Sequence, residues 1–431
     1  MRQKTLALAG ALFLACSPGM AQSFPTEKSL PATVPIGLQE ALDRASSANA
    51  QLRAKQAQLA AAQGVQADAR SLLFNNPQLS VESTRRDVPQ PGTGEERRRE
   101  WGAGISQAFE TGGQAGFRRE ASAAALAALR QEIDDTRRQV RSEVAAIFYR
   151  VLALQQKVEL EAQALKLFDE AATAVQKRRR AGEDTKLDAN VAMVEAERAR
   201  NQLAVAQEQL LEARRELASR LQLANSAAPQ ALGQLTPATL PYTADELLAN
   251  LAGQPRLIAL ALRERSANAR LRLEKASVRP DVTVGVKVAR EGPANTRERL
   301  TTLSVSIPLP FFKRNAAGIG QATTEATQAQ IEREAALRDA QAGVSALWSK
   351  LASQEQRVRR LEQLVVPALT ENLSLSAKSR QAGQIGLLEV IVVSRQALDA
   401  RRDLIEALSD YHATRAALEL AAGWPREQNQ P

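Results

Sequence analysis

Residues 140–182 read VRSEVAAIFYRVLALQQKVELEAQALKLFDEAATAVQKRRRAG. The apolar positions Val140, Val144, Ile147, Val151, Leu154, Val158, Leu165, Phe168, Ala172 and Val175 are spaced alternately four and three apart, and Glu161 fills the remaining slot. An apolar stripe on this period predicts a coiled-coil seam, because a 3.5-residue repeat keeps one stripe facing a partner helix. No proline occurs between Gly113 and Gly182, so nothing removes a helical hydrogen bond. The predicted helix is roughly 100 Å long at about 1.5 Å per residue. Gly182 suits a left-handed helix end. Thr185 followed by Asp188 has the capping-box spacing of a returning helix. The expected unit is a long helical hairpin over residues 113–221 with its tip at 178–185.

The same seam recurs 200 positions later in Val344, Leu347, Leu351, Gln354, Val358, Leu361, Val365, Ala368 and Leu375, and Phe148 answers to Trp348. A second tip follows at residues 382–389, where Ala382-Gly383 match Ala181-Gly182 and Leu388-Glu389 match Leu187-Asp188. So regular an internal duplication defines two halves. They are residues 22–223 and 244–422, with a Pro-rich connector over 224–243 and a disordered tail over 423–431.

The rest of the chain frames these hairpins. Aromatic residues are only 3% of 431, and Ala, Gln, Glu, Arg and Leu dominate, the composition of long packed helices. Residues 1–21 predict a secretory signal: Arg2 and Lys4, an apolar run from Leu6 to Ala15, then Gly19-Met20-Ala21 before a cut between Ala21 and Gln22. The rival cut lies before Cys16 and would leave a lipid-anchored terminus, but Phe13-Leu14-Ala15-Cys16 is a poor lipobox. Cys16 is the single cysteine, so a chain cut after Ala21 has neither disulfides nor thiolate ligands. No later run of about 18 apolar residues predicts a membrane helix. The charge of +9 is interspersed along helical faces, which argues against nucleic acid.

Residues 24–35 are expected to be an extended leader, followed by a helix over 37–70. The period then becomes two. Leu79 and Val81 alternate with Ser80 and Glu82; Trp101, Ala103, Ile105 and Phe109 share a face opposite Gly102, Gly104, Ser106 and Ala108. Residues 85–100 are expected to form a loop between these strands. The second half repeats the order: a helix over 244–277 interrupted at Gln254-Pro255, a strand with Val282, Val284, Val286 and Val288 on one face, a loop over 291–299, and a strand with Leu303, Val305 and Ile307. The return helix is expected over 387–422.

Strands with one apolar face and one small or polar face suit a membrane barrel. An open sheet leaves unsatisfied edges in lipid, and four strands cannot close alone when the smallest bacterial barrels have about eight. Several chains must contribute. Three would give twelve strands above a cylinder of twelve helices.

On these residues the chain resembles the TolC-like outer membrane efflux proteins, and within them the outer membrane component of cobalt–zinc–cadmium type heavy-metal cation efflux systems. The resemblance is carried by Asn76-Pro77, by Ser106-Gln107 with Glu110-Thr111-Gly112-Gly113, by residues 307–315 (Ile-Pro-Leu-Pro-Phe-Phe-Lys-Arg-Asn), and by the tip from Arg178 to Gly182. It implies a mainly α fold with a small membrane β part: a homotrimeric 12-stranded β-barrel on a long α-helical coiled-coil barrel, set in outer membrane lipid and reaching into the periplasm. It implies docking onto a periplasmic adaptor and an inner-membrane resistance-nodulation-division type pump, with no cofactor and no enzymatic step. The gate and docking surface are expected at the tips, at Arg178, Gly182, Glu183, Asp184, Thr185, Arg380, Gly383 and Gln384, with Asp184 pairing arginines of neighbouring copies. Scattered carboxylates without zinc-type His or Cys spacing give no metal site; His412 is expected to be packed or solvated and Met193 to be in the core. A duct for organic compounds or for type I protein secretion is the alternative cargo reading, and a structural periplasmic coiled coil is the alternative without a pore.

Overall fold

In the computed structural model, residues 32–424 are described except residues 90, 91, 93, 225, 226, 238, 294, 295 and 313. The leader, with Cys16, Ala21 and Gln22, and the tail beyond Trp424 lie outside the described residues.

The decisive stretch forms one helix. α3 (Gln114–Arg180) runs 67 residues without a break, and α4 (Lys186–Arg220) returns along it. Val140, Val144, Ile147, Val151, Phe168 and Val175 of the expected seam are buried. Met193 is not in the core. It is 54% exposed, because α4 meets α3 through small residues such as Ala192, Ala196, Ala199 and Ala206, and Met193 lies off that stripe.

The second hairpin departs from its twin at one point. Its outward arm is α7 (Ala316–Arg360), a π turn (Leu361–Val365) and α8 (Val366–Gln381); α9 (Leu387–Ala422) returns. Pro367 has no N–H to offer the turn before it, and the wider π turn takes up one extra residue. Before it the halves correspond at an offset of 200, as in Val144 with Val344 and Val151 with Leu351, all buried. After it the offset is 201: the counterpart of Val175 is buried Ser376, and Leu375 is 50% exposed. The seam expected at Val365, Ala368 and Leu375 is therefore out by one residue.

Two expectations for the flanking segments are also corrected. The helix expected over 37–70 breaks at Asn49 into α1 (Leu38–Ala48) and α2 (Ala50–Ala69), where the Asn49 side chain accepts the N–H of Gln51 at 2.9 Å and of Leu52 at 3.3 Å. The leader and the connector are not wholly extended. β1 (Ala32–Gly37) and β4 (Ala227–Leu232) pair in parallel over their full length. Gln155 of α3 completes this small sheet, donating to the Ala231 carbonyl at 3.0 Å and accepting its N–H at 2.9 Å. The main core gathers around this waist, with Ile36, Val144, Phe148, Leu217, Leu247, Leu351, Tyr411 and Leu418 buried together.

α5 (Ala244–Asn250) and α6 (Pro255–Ala276) flank a short 3-10 turn at Leu251–Gly253, the interruption that Pro255 predicts. The four long strands are β2 (Gln78–Val88), β3 (Glu96–Phe109), β5 (Val282–Glu291) and β6 (Glu298–Ser306), antiparallel in the order β2-β3-β5-β6. The loops expected at 85–100 and 291–299 are shorter than predicted. The ladder continues through Arg85, Arg86, Arg97, Arg98 and Arg99 to Val88↔Glu96, and through Arg290↔Arg299 to Glu291↔Glu298. Charged runs look like loop, yet they extend these strands because the backbone ladder is indifferent to which side chains it carries.

Candidate functional site

Each hairpin ends in the same backbone device. In the first tip Gly182 has φ 83 and Gly383 in the second has φ 72, the left-handed region that glycine enters at no steric cost. The N–H of Glu183 reaches the Arg178 carbonyl at 2.9 Å, and the N–H of Gln384 reaches the Ser379 carbonyl at 2.9 Å, the six-to-one bond that closes a helix C-terminus. The helices that leave the tips start differently. Thr185 caps α4 in a reciprocal box with Asp188, with the Asp188 N–H donating to the Thr185 hydroxyl at 3.2 Å. Gly386 starts α9 with no side-chain cap.

The first tip is held from within. Arg178 Nε lies 3.3 Å from Glu183 and 3.2 Å from Asp184, whose side chain is only 11% exposed. Within the chain the partner of Asp184 is Arg178, six residues upstream across the tip. Arg380 donates to the Ile385 carbonyl at 3.3 Å. It also lies near Asp188, whose carboxyl is held below the usual range by hydrogen bonds from Thr185, with Arg380 adding to the effect. The two tips thus lie side by side.

Higher up, a link that the sequence only hints at joins the hairpins. Glu161, the polar residue in the seam, is 1% exposed. Arg402 of α9 grips it with both arms of its guanidinium, at 2.7 Å each, and also bonds Gln202 of α4 at 2.6 Å and Asp399 at 2.7 Å. Near the waist, His412 is buried and stacked on Tyr149 with centroids 3.8 Å apart. Burial above all, with the charge of Arg415, lowers its pKa to about 4, and neither ring nitrogen has a hydrogen-bond partner among the described residues. Among the described residues no group of three or more His, Cys, Asp and Glu could hold a metal ion.

The sheet is two-sided. The register is continuous from Gln78↔Ser106 to Val88↔Glu96 and across β5 and β6, so side chains alternate strictly. One face carries the exposed Leu79, Val81, Trp101, Ile105, Phe109, Val286, Leu303 and Val305. The other is crowded and small. A side chain at Gly102 would meet Lys287 at 2.9 Å, and one at Gly285 would meet Ser304 at 2.8 Å. Glycines in such positions let a sheet curl toward that face. This inner face also holds Glu82, Glu96, Glu100, Glu291 and Glu298 against Arg86, Arg98 and Lys287. Arg86 pairs with Glu100 at 3.2 Å, Arg98 with Glu96 at 2.7 Å and Lys287 with Glu82. Glu291 and Glu298 face each other across the ladder.

The strand–helix junctions explain the turn residues singled out in the sequence. Gln107 donates to the Asn75 carbonyl at 2.7 Å, Thr111 to the Pro280 carbonyl at 2.8 Å, and Asn315 to the Glu274 carbonyl at 3.0 Å. A side chain at Gly112 would meet the Ala276 carbonyl at 2.7 Å. Thr111 and Gly112 thereby lock the first half's turn against the second half's strand and helix.

Known proteins repeat this arrangement. The sequence model of the family described as outer membrane efflux protein matches residues 41–221 and 248–424. The cobalt-zinc-cadmium resistance protein CzcC of Cupriavidus metallidurans is 27% identical over 397 residues, 91% of this chain and 88% of its own length. The outer-membrane channel OprN superposes with a TM-score of 0.77 at 18% identity, covering 90% of this chain and 89% of OprN. The CmeC outer membrane channel of Campylobacter jejuni superposes with a TM-score of 0.78 at 13% identity, covering 90% and 85%.

Proposed function

Since this chain belongs to the outer membrane efflux protein family, a channel of the cell outer membrane whose helices extend into the periplasm, we propose that three copies assemble into one passive duct carrying heavy-metal cations to the exterior. The observation that carries this reading is the four-stranded sheet. Within the described residues β2 and β6 have one neighbour each, so both outer edges have free backbone groups, and the exposed face is apolar. Neither condition is stable in lipid unless the edges are paired. Joining β6 of one copy to β2 of the next, three times, gives a closed twelve-stranded barrel, with the helical hairpins forming the tunnel below.

The chain then reads as two copies of one efflux unit, residues 22–223 and 244–422, joined by 224–243. The cation reading is supported by the carboxylate excess on the sheet's inner face, which would line the exit, and by the likeness to CzcC. A duct for organic compounds is the second reading. In either case the duct performs no bond chemistry, and energy comes from an inner-membrane pump of the resistance-nodulation-division type through a periplasmic adaptor. Detergent-solubilised protein, weighed by light scattering with the detergent mass subtracted, is expected at three times the chain mass of 46.6 kDa less any cleaved leader. A well-folded monomer would exclude the barrel.

The tips are the proposed gate and docking ring, comprising Arg178, Gly182, Glu183, Asp184 and Thr185 with Arg380, Gly383 and Gln384. Asp184 is shielded but its partner Arg178 is 48% exposed, so water screens the pairing to about 1 kcal/mol, a magnitude that a docking partner can overcome. Asp184→Ala frees the tip and is expected to raise single-channel conductance in planar bilayers with the trimer intact. Unchanged conductance would move the gate higher in the tunnel.

A further inference from the structure

The outer face of the sheet changes character abruptly toward its turn end. From Phe109 to Trp101, nine residues, the face is apolar but for Gln107, whose amide is taken up by the Asn75 and Ala108 carbonyls; nine is the number a tilted strand needs to cross hydrocarbon (about 9–11). At and beyond that level, on the same face, each of the four strands presents an arginine: Arg290 and Arg299 level with Trp101, Arg85 and Arg99 one step further out, and Arg97 another step out on β3. Asp87 is the sole carboxylate there among the described strand residues. It lies 3.5 Å from Arg85 and 3.9 Å from Arg97. Arg290 lies over the Trp101 ring at 5.9 Å, and Arg99 and Arg299 have no carboxylate partner among the described residues.

This arrangement is unfavourable in isolation. Arg85 stands directly opposite Arg99, and Arg290 directly opposite Arg299, and like charges facing across a ladder destabilise it. The sheet's glutamates do not relieve this, because strict alternation places all of them on the other face. An external anion would. Arginine is also the side chain whose planar fork matches phosphate oxygens bidentately.

We propose that this arginine collar binds the phosphate groups of an anionic glycolipid in the outer leaflet around the barrel. The occupant follows from continuity and charge. The collar begins where the apolar, lipid-facing band ends, so its neighbours are headgroups of the lipids whose chains cover that band. The inference rests on the barrel reading above.

The test uses the full-length detergent-solubilised protein, with bound lipid A counted by native mass spectrometry. Wild-type protein is expected to retain bis-phosphorylated lipid A. The variant carrying Arg99→Ser, Arg290→Ser and Arg299→Ser should bind it at least about tenfold more weakly, the loss of one or more charge-assisted contacts. Dephosphorylated lipid A should bind the wild type as weakly as the phosphorylated form binds the variant. Single Arg99→Ser, less demanding on folding, should show a smaller loss in the same direction. Equal binding by wild type and variants, or no discrimination between phosphorylated and dephosphorylated lipid A, would overturn the proposal. Millimolar inorganic phosphate should leave the lipid in place; displacement would mark a free-ion site and overturn the lipid assignment. All proteins are also floated with phosphatidylcholine vesicles and their conductance recorded. A wild type that neither floats nor conducts would refute the barrel itself, and the collar with it.

Discussion

Arg402→Leu is expected to cost about 3–5 kcal/mol of folding stability, the usual consequence of removing one partner from a buried ion pair. The carboxylate of Glu161 would be left at 1% exposure with neither of its two 2.7 Å bonds. Arg402 alone keeps 21% of its side chain exposed, so the converse change, Glu161→Leu, strands a charge that can reach water and should cost less. Replacing both by leucine removes the desolvated charge and fills the gap between α3 and α9 with apolar volume, so the double variant should recover most of the stability. The check is a double-mutant cycle on the thermal midpoint of the helical circular dichroism signal. A single Arg402→Leu variant that melts with the wild type, or a double variant less stable than either single, would sink the assignment.

Acidification should have an effect of similar size through His412. Its pKa is lowered from the ordinary 6.5 to about 4 in the folded chain. The unfolded chain therefore takes up a proton at a pH where the folded chain still refuses it. The stabilising contribution is complete above about pH 6.5 and is lost as the pH falls through about 4, amounting to about 3 kcal/mol per chain. The groups facing the ring are Tyr149 of α3 with Tyr411 and Arg415 of α9, so no carboxylate among them would stabilise an imidazolium. His412→Phe keeps the stack on Tyr149 and removes the proton site. Its thermal midpoint should fall less than that of the wild type between pH 7 and pH 4. Parallel pH profiles for the two proteins would refute this account.

The long hairpins were legible because their signal is redundant. A seam of ten apolar positions without a proline, echoed in part 200 residues later, leaves little else for residues 114–180 to form. The strand faces were equally readable, since alternation from Leu79 to Val81 and from Trp101 to Ile105 is local. The waist was not. β1 and β4 are six residues each and nearly 200 residues apart in sequence; each contains a proline, and their pairing leaves no periodic trace in either segment. The strand ends were misjudged because Arg85 and Arg97 to Arg99 look like solvated loop, whereas their alternation between faces is visible only once the register is known. At the tips, Gly182 and Gly383 announced the turns, but the capture of Asp184 by Arg178 depends on a side-chain path across the tip that spacing does not encode. The Arg402 grip had one signal: a glutamate in an apolar seam needs a cation, and the sequence does not say which.

The π turn at Leu361–Val365 also bears on how the two halves can diverge in length. Adding one residue to a continuous α-helix rotates everything beyond it by about 100°, which would turn the buried stripe of α8 out of its seam. Here the widened turn absorbs the extra residue, and Ser376 sits where Val175 sits in the other half. A duplicated gene could therefore gain or lose a codon at this place without rotating the tip. The same event inside α3, which has no such turn, would swing Gly182 and its neighbours out of register with Gly383. Tolerance of insertion and deletion is confined to one arm, and the unbroken arm sets the frame to which the other is kept in phase.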